Sequence, residues 1–394
     1  MLEHESLYQG REQSLVKHLV LQRYLERFSL IIGQRWNSIT YVDCFSGPWQ
    51  TKSDLFADSS FGIAIQELRK ARDTLHRQFR KTVRLRCYFL EADPDAYARL
   101  ATVPSQYPDV EIHTRNATLE DSVDDIVRYV KEDRSTFPFI LIDPKGWKGF
   151  AIDVISPLLR LDPGEVLMNF MIEFIRRFWN APDESTRQSF VRLFGSEQFR
   201  EQLLQLPAGE RDDAAAFEYL KTVQRAGNFP HASLAVVLHR DIDRRFFYLP
   251  YFTRHPLGIE KFKESEKLSM QDMEHLRAGA KQRKRTGKRG QQELFDAEEL
   301  HDPQYFDGLR DSYLNRAKSE IQTLLVAQQH VPYDEIWKKA LAWPLVWESD
   351  IKEWIADWLK EGSLQCITGM KPRQRVPQRG SGNILVWRSD GPTL

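Results

Sequence analysis

Four predicted strands in the first half of the chain end beside a side chain that can accept hydrogen bonds. Asp43 follows the apolar start of YVDCFSGPW, Glu91 closes LRCYFLE, Asn116 comes just past VEIHT and Asp143 closes FPFILID. In an open α/β sheet, ligands bind outside the carboxyl ends of parallel strands. We therefore expect these four side chains to line one ligand site.

The spacing of these residues favours S-adenosylmethionine (SAM) as the ligand. Asp43 would accept hydrogen bonds from the methionyl ammonium, and Glu91 would accept both ribose hydroxyls, which needs two acceptor oxygens. NAD instead needs G-x-G-x-x-G with an acid about 20 residues further on. Here the turn after Asp43 has one glycine, and Glu91 lies 48 positions beyond Asp43. GPWQTKS also lacks the glycine spacing of a phosphate loop, whereas SAM carries no pyrophosphate.

The turn and the third strand end complete the predicted cofactor site. Gly47 would let the ligand approach the backbone closely. Asn116 would hydrogen-bond along the adenine edge, beside the backbone amide of Ala117. An alternative for Asp43 is an acid that only caps the following turn or helix. The predicted cofactor-binding residues are Asp43, Phe45, Gly47, Glu91, Asn116 and Ala117.

The segment FILIDPKGW, residues 139–147, predicts the catalytic edge. Asp143 would accept a hydrogen bond from an amino group, Pro144 would fix the turn and Trp147 would stack on a base. This set is typical of methyl transfer to a base amino group. Lys145 stands where a second proline is usual, which leaves the acceptor open. The alternative is a tight strand-to-helix turn with a structural aspartate.

Strands and helices alternate along the first two thirds of the chain. The pattern predicts strands at residues 39–43, 85–91, 110–114, 137–143, 164–170, 232–238 and 245–252. Such alternation is typical of a doubly wound, Rossmann-like α/β sheet. The short polar link at residues 239–244 predicts that the last two strands form an antiparallel hairpin. Seven strands that end in this way favour a class I methyltransferase-like fold.

The composition limits the other possibilities. The 394 residues carry 56 basic and 56 acidic side chains, so only local clusters can indicate a nucleic-acid partner. No apolar run reaches about 18 residues and the N-terminus lacks a secretory pattern, so we expect a cytoplasmic protein without a membrane partner. The three cysteines are scattered, and no metal site is expected.

Two basic clusters stand out in the last third of the chain. Residues 277–290, RAGAKQRKRTGKRG, hold seven cations and no acid, which predicts a flexible segment within a linker at 276–308. It would join a methyltransferase-like domain at 1–275 to three helices and a hairpin at 309–394, a pattern typical of a winged helix. Exposed cations of this kind bind phosphates. The predicted nucleic-acid contacts are Lys281, Arg283, Lys284, Arg285, Lys288, Arg289, Lys371, Arg373, Arg375 and Arg379.

Three motifs resemble those of the three-Cys-motif partner (TcmP) family. YVDCFSGPW is similar to Y-[IV]-D-x-F-A-G-P-G, FILIDPKGW to F-[IL]-D-P-x-G, and FTRHPLGIEKFKES to T-x-H-P-x-G-x-x-x-F-K. The resemblance implies a bacterial methyltransferase-like fold encoded beside a radical-SAM-like partner protein. Two positions depart from the family pattern. Ser46 stands where alanine is usual, and Trp49 replaces the last glycine, where it would crowd the methionine end of SAM or form a lid.

Two functions follow from these patterns. The first is a SAM-dependent methyltransferase that acts on a base amino group in DNA or RNA. The second is a catalytically inactive methyltransferase-like scaffold that binds nucleic acid and a partner protein, in defence against phage. Trp49 and Lys145 are the residues that favour the scaffold.

Overall fold

The computed structural model describes residues 5–47, 51, 53, 56–144, 146, 150–179, 183–196, 198–289, 302–371 and 373–388, without the side chains of residues 178 and 287–289. Trp49, Lys145 and Trp147, which carry three of the predictions above, lie outside the described residues. The chain forms two compact units. The second begins at Asp302, and three residues from the first part of the chain, Ser233–Ala235, are grouped with it.

The first unit is built on one mixed sheet. The strands found in its described residues are β1 (Ser38–Asp43), β2 (Arg84–Glu91), β3 (Glu111–Asn116), β4 (Thr136–Ile142), β5 (Glu165–Met168), β6 (His231–Leu238) and β7 (Arg245–Thr253). Their order in the sheet is β3-β2-β1-β4-β5-β7-β6. The first five strands pair in parallel, and β7 runs antiparallel to β5. This order and the reversed strand confirm the predicted methyltransferase-like, Rossmann-like sheet.

The central strands are buried on both faces because helices cover both sides of the sheet. All six residues of β1 are buried, as are seven of the eight residues of β2. Continuous burial of this kind is typical of parallel strands in α/β proteins. Parallel pairing also aligns the strand ends, since Asp43 lies opposite Phe89 of β2 and Leu141 of β4.

Helices of the first unit precede and connect the strands. The described residues begin with a short 3-10 helix (Glu5–Tyr8). The α-helices described in this unit are α1 (Glu12–Arg35), α2 (Ser60–Phe79), α3 (Pro94–Leu100), α4 (Val103–Gln106), α5 (Val123–Glu132), α6 (Ile152–Leu159), α7 (Ile172–Phe178), α8 (Glu184–Phe194), α9 (Gln198–Gln205), α10 (Ala208–Gly227) and α11 (Pro256–Arg289). Helix α1 packs between α2 and α11, whereas α6 packs against α5 and α10. Helix α1 is therefore part of the core of this unit.

A buried polar network ties α1 to the sheet and to the start of α11. The hydroxyl of Tyr24 on α1 donates to Glu165 Oε2 on β5 at 2.5 Å and also contacts the hydroxyl of Tyr251 on β7. Thr253 Oγ1 donates to Glu165 Oε1 at 2.9 Å. Burial raises the pKa of Glu165, although these hydrogen bonds partly offset the effect. Because these groups surround Gly258 of α11, the network leaves no room for a side chain at that position.

The prediction of a flexible basic segment is wrong for residues 277–289, which continue α11. Acids outside the segment bind its cations: Lys281 Nζ lies 2.8 Å from Asp243 Oδ1, and Lys284 Nζ lies 2.9 Å from Asp241 Oδ2. Arg283 reaches Glu12 of α1 at 2.6 Å. The sequence of the segment contains no acid, so its charge balance depends on distant residues that only the fold brings close.

The second unit combines three helices with a small antiparallel sheet. Its described elements are α12 (Gln304–Ala327), β8 (Val331–Pro332), α13 (Tyr333–Leu341), α14 (Glu348–Glu361), β9 (Leu364–Cys366) and β10 (Ile384–Trp387). The sheet order is β8-β10-β9, with both pairings antiparallel. This succession of helix, strand, two helices and two strands agrees with the predicted winged helix, which stays a prediction. No helix among the described residues of either unit is long and apolar enough to cross a bilayer.

We expect Gly258→Ala to destabilise the first unit. An added Cβ would lie 2.4 Å from the hydroxyl of Tyr251 and 2.8 Å from Thr253 Oγ1, so the buried network must shift. The free energy of unfolding should fall by about 2 kcal/mol, which a urea titration measures. Gly209→Ala on α10 is the matched control, because nothing lies within 4 Å of its added Cβ. Equal stability of the two variants would contradict the prediction.

Candidate functional site

A cleft of about 460 Å³ lies at the carboxyl edge of β1, β2 and β4. Five of the predicted site residues line it, namely Phe45, Gly47, Glu91, Asp143 and Pro144. The carboxyl ends of these strands meet there because the strands pair in parallel and in register. The sheet therefore brings together the acids that the sequence placed at separate strand ends.

Asp43 lies behind the wall of this cleft and is fully buried. Its Oδ1 accepts from the backbone N–H of Phe45 at 3.1 Å, and its Oδ2 accepts from Ser60 Oγ at 2.5 Å. Burial raises the pKa of Asp43 to about 6, which outweighs the lowering effect of these two hydrogen bonds. Phe45 and Ser60 both line the cleft, so the carboxyl group of Asp43 fixes two parts of its wall.

Glu91 lines the cleft and is held by one of its carboxylate oxygens. Its Oε1 accepts from the backbone N–H of Asp93 at 2.7 Å, which orients the side chain at the end of β2. The structure gives Oε2 no hydrogen-bond partner among the residues that it describes. An acceptor that is held in place and open on one side suits a ligand with hydroxyl donors.

Asn116 and Ala117 lie next to Glu91 but do not line the cleft. Asn116 is the last residue of β3, not a residue past it as expected, and it pairs with Glu91 across the sheet. Its Nδ2 donates to the carbonyl oxygens of Glu91 and Ala92 at 2.8 and 3.2 Å. The amide of Ala117 donates to the same Glu91 carbonyl at 3.2 Å. In this structure both groups brace the end of β2.

Asp143 is held by partners on two sides. Lys17 Nζ on α1 forms an ion pair with its Oδ2, and Asn169 Nδ2 donates to its Oδ1 at 2.7 Å. Burial alone would raise the pKa of Asp143, but Lys17 and Asn169 lower it below the ordinary value. The carboxylate is therefore ionised at neutral pH. Each oxygen still has lone pairs for a further donor.

Helix α1 supplies further polar groups along one wall. His18 is buried beside Lys17, and its Nδ1 lies 2.6 Å from the hydroxyl of Tyr8. Burial and the nearby Lys17 lower the pKa of His18 to about 3, so the ring is neutral at physiological pH. Arg11 is the residue before α1. Its Nη2 lies 2.7 Å from Oδ2 of Asp58, a residue that comes just before α2. The two cations of this wall are therefore paired with acids, Lys17 with Asp143 and Arg11 with Asp58.

Residues of α1, α2 and the end of β5 also line the cleft, although none of them was among the predicted site residues. Asn169 follows β5, so the strand-end pattern that selected Asp43 and Asp143 also applies to it. Ser60 follows the helix cap Ser59, whose side chain accepts from Gly62 at 3.1 Å, and a capping pattern indicates that position. Nothing in the amphipathic pattern of α1 indicates that Lys17 turns toward the cleft.

The predicted nucleic-acid residues fall into two groups. Lys281, Arg283 and Lys284 lie on α11 and have acidic partners, and Arg285 also makes contacts. The side chains of Lys288 and Arg289 lie outside the described residues. In the second unit, Lys371, Arg373 and Arg375 are exposed between β9 and β10, and Arg379 packs over the ring of Trp337 at 5.3 Å.

The comparisons with known proteins give a loose likeness only. No family model and no curated protein matches the chain, so TcmP membership stays a prediction. Similar solved structures include protein LPL1258 from Legionella pneumophila, of the family model DUF519, at 14% identity over 68% of this chain and 92% of that chain, with a TM-score of 0.40. Trm1 from Pyrococcus horikoshii with S-adenosyl-L-methionine has 13% identity over 61% and 58%, with a TM-score of 0.30.

An O-methyltransferase from Bacillus cereus in complex with SAH has 12% identity over 64% of this chain and 92% of that chain, with a TM-score of 0.29. These scores are low. The fold assignment rests instead on the strand order and strand directions of the sheet itself.

We expect Lys17→Met to lower the free energy of unfolding by roughly 3 kcal/mol, because it leaves the carboxylate of Asp143 without its cation in a largely buried position. Adding Asp143→Asn should recover part of this loss, since a neutral amide needs no counter-charge. Urea titrations of the wild type, both single variants and the double variant measure the coupling. Arg192→Met is the control, because Arg192 and its partner Asp153 are 51% and 66% exposed, so their pair contributes little. Additive effects at Lys17 and Asp143 would contradict the prediction.

Proposed function

We propose that the chain is a SAM-dependent methyltransferase that acts on a base amino group of nucleic acid. One observation carries the proposal: acids from the ends of β2 and β4 line one cleft, and the acid at the end of β1 lies behind its wall. The sheet that positions them has the order and the reversed strand of class I methyltransferases. The open oxygen of Glu91 and the buried charge of Asp43 are the features that fit SAM chemically.

The groups around the cleft suit the two ends of SAM. Glu91 would accept from the ribose hydroxyls through Oε2, while Oε1 stays bonded to the backbone of Asp93. Asp43 would favour the methionyl ammonium by its charge and by holding Ser60 Oγ, which lines the cleft. Asn116 and Ala117 would keep the end of β2 in place and meet the adenine edge from beside it. When bound, SAM supplies an electrophilic methyl group.

Asp143 would orient the acceptor nitrogen. An ionised carboxylate accepts an N–H hydrogen bond and directs the nitrogen lone pair toward the methyl carbon, which is the positioning that methyl transfer requires. Lys17 and Asn169 keep Asp143 ionised and fixed in place. Pro144 follows at the cleft wall, where it fixes the turn. We assign stacking on the base to Trp147 by its place in the motif alone.

The family, the partner protein and the nucleic-acid substrate predicted from the sequence are part of the same proposal. The resemblance of YVDCFSGPW, FILIDPKGW and FTRHPLGIEKFKES to TcmP motifs supports a bacterial protein with a radical-SAM-like partner protein. Nucleic acid as the substrate is supported by the exposed cations between β9 and β10.

A second candidate function is an inactive scaffold that binds nucleic acid and a partner. The observation that favours it is the ion pair between Lys17 and Asp143, because Lys17 already occupies one side of the acid that should receive the acceptor amine. Under this alternative, the ion pair between Lys17 and Asp143 is retained in the complex with nucleic acid.

We expect the full chain to transfer labelled methyl groups from SAM to nucleic acid in a mixture of DNA and RNA. Asp143→Ala should lower incorporation on the order of 100-fold, because the acceptor nitrogen loses its orienting group. Asp153→Ala, which changes an acid that is 66% exposed on α6, should keep the activity. Calorimetry with SAM on both variants shows whether the cofactor site is intact. SAM binding by the wild type without incorporation would favour the scaffold.

We expect the affinity for SAM to fall between pH 7 and pH 5. Asp43 has a raised pKa of about 6 in the free protein, so it loses its charge over this range and no longer favours the methionyl ammonium. One coupled proton reduces the association constant by up to about tenfold, as calorimetry measures. His18 is neutral throughout this range, and Asp143 stays ionised beside Lys17.

Two variants provide the controls for this pH dependence. Asp43→Asn should bind weakly, with little dependence on pH. Glu91→Ala should bind weakly at every pH but keep the wild-type slope, since Asp43 is intact. An unchanged slope in Asp43→Asn would show that a different group titrates.

A further inference from the structure

The second unit has two exposed surfaces of opposite charge. One is the exposed face of α14, the helix that follows the turn after α13. The other is the segment at residues 367–383 between β9 and β10, which we call the wing loop and which the structure describes except for residue 372. We propose that the wing loop contacts the phosphate backbone and that α14 does not enter a groove. This proposal deepens the proposed function and rests on its nucleic-acid substrate.

The wing loop is a concentrated and accessible source of positive charge. Its sequence contains Lys371, Arg373, Arg375 and Arg379 and no acid. The first three are exposed, and the structure pairs none of them with an acid among the residues that it describes. Cations without counter-charges release condensed counterions when they meet a polyphosphate. The cations of α11 differ, because Lys281, Arg283 and Lys284 already contact acids.

Hydrogen bonds hold the wing loop in a defined conformation. Near its tip, the amide of Gln374 donates to the carbonyl of Lys371 at 2.9 Å, and Gln374 Nε2 donates to the carbonyl of Val376 at 2.7 Å. At its far end, the amide of Gly380 donates to Asp334 Oδ1 at 2.9 Å. A loop that is ordered before it binds a ligand loses less conformational entropy when it binds.

Helix α14 has the wrong charge for a helix that lies in a groove. Its exposed charged positions are three acids, Glu353, Asp357 and Glu361, and two lysines, Lys352 and Lys360, so acids outnumber cations there. Lys352, also exposed, is bound to Glu348 at 2.8 Å on the same helix. A recognition helix in the major groove lies between two rows of phosphates, so its acids would be repelled. The wing loop is therefore the better phosphate-binding element of this unit.

This mode of contact has a measurable signature. Contacts to phosphates position a protein but carry no sequence information, whereas contacts to base edges do. Affinity through the wing loop should therefore depend strongly on salt and weakly on sequence. Each phosphate contact that is lost should reduce the slope of log K against log salt by about 0.9 on duplex DNA.

The test measures binding of the full chain to fluorescent duplex DNA and single-stranded RNA by anisotropy, without SAM and over a range of salt. Arg373→Ala/Arg375→Ala should weaken binding to the duplex by at least about tenfold at low salt and reduce the salt slope by about 2. Glu353→Gln/Asp357→Asn on α14 is the matched control, with two changed charges in the same unit, and should bind with equal or slightly higher affinity. Thermal unfolding checks that both variants are folded.

Two results would overturn the proposal. The first is an affinity and a salt slope equal to those of the wild type in the wing-loop variant, and the second is a loss of binding in the α14 variant. A chain that binds neither DNA nor RNA also overturns it, whether or not SAM binds. Failure of methyl transfer with intact, salt-dependent binding through the wing loop would overturn the proposed reaction and leave this inference standing.

Discussion

Parallel pairing of β1 with β2 and β4 is the constraint on which the site depends. Because the three strands run in one direction and in register, their carboxyl ends share one edge, and acids about 50 residues apart in sequence come to one cleft. Antiparallel pairing would place alternate ends at opposite edges. The reversal of β7 comes only after five parallel strands, so it does not disturb this edge.

Acids gathered at one edge must be compensated, and the chain does this in two ways. Asp43 receives hydrogen bonds from Ser60 and from a backbone amide, and its pKa is nevertheless raised by burial. Asp143 receives a cation, Lys17, and its pKa is lowered. The two aspartates therefore have different pKa values at neighbouring strand ends. Asp143 has a counter-charge, whereas Asp43 has only hydrogen-bond dipoles around it. Helix α1, which supplies Lys17, belongs to the site as well as to the core.

The two basic clusters show that charge in a sequence does not determine charge on a surface. The α11 cluster and the wing loop both lack acids in sequence. The fold supplies acids to the first from Asp241, Asp243 and Glu12. Lys371, Arg373 and Arg375, by contrast, contact no acid among the residues that the structure describes. Electrostatic attraction for a polyphosphate depends on this local balance. Two basic segments without acids thus differ in how much positive charge they leave available for a polyphosphate.

The sequence was sufficient to predict the strands, their alternation with helices, the reversed end of the sheet, and the strand-end positions of Asp43, Glu91 and Asp143. These follow from local patterns, since apolar runs, turns and polar strand ends are each contained in a few consecutive residues. Tertiary structure alone decided that Lys17 reaches Asp143, that His18 is neutral, and that α11 continues through a segment expected to be flexible. Each of these depends on burial or on a partner far away in sequence, and no local pattern records either.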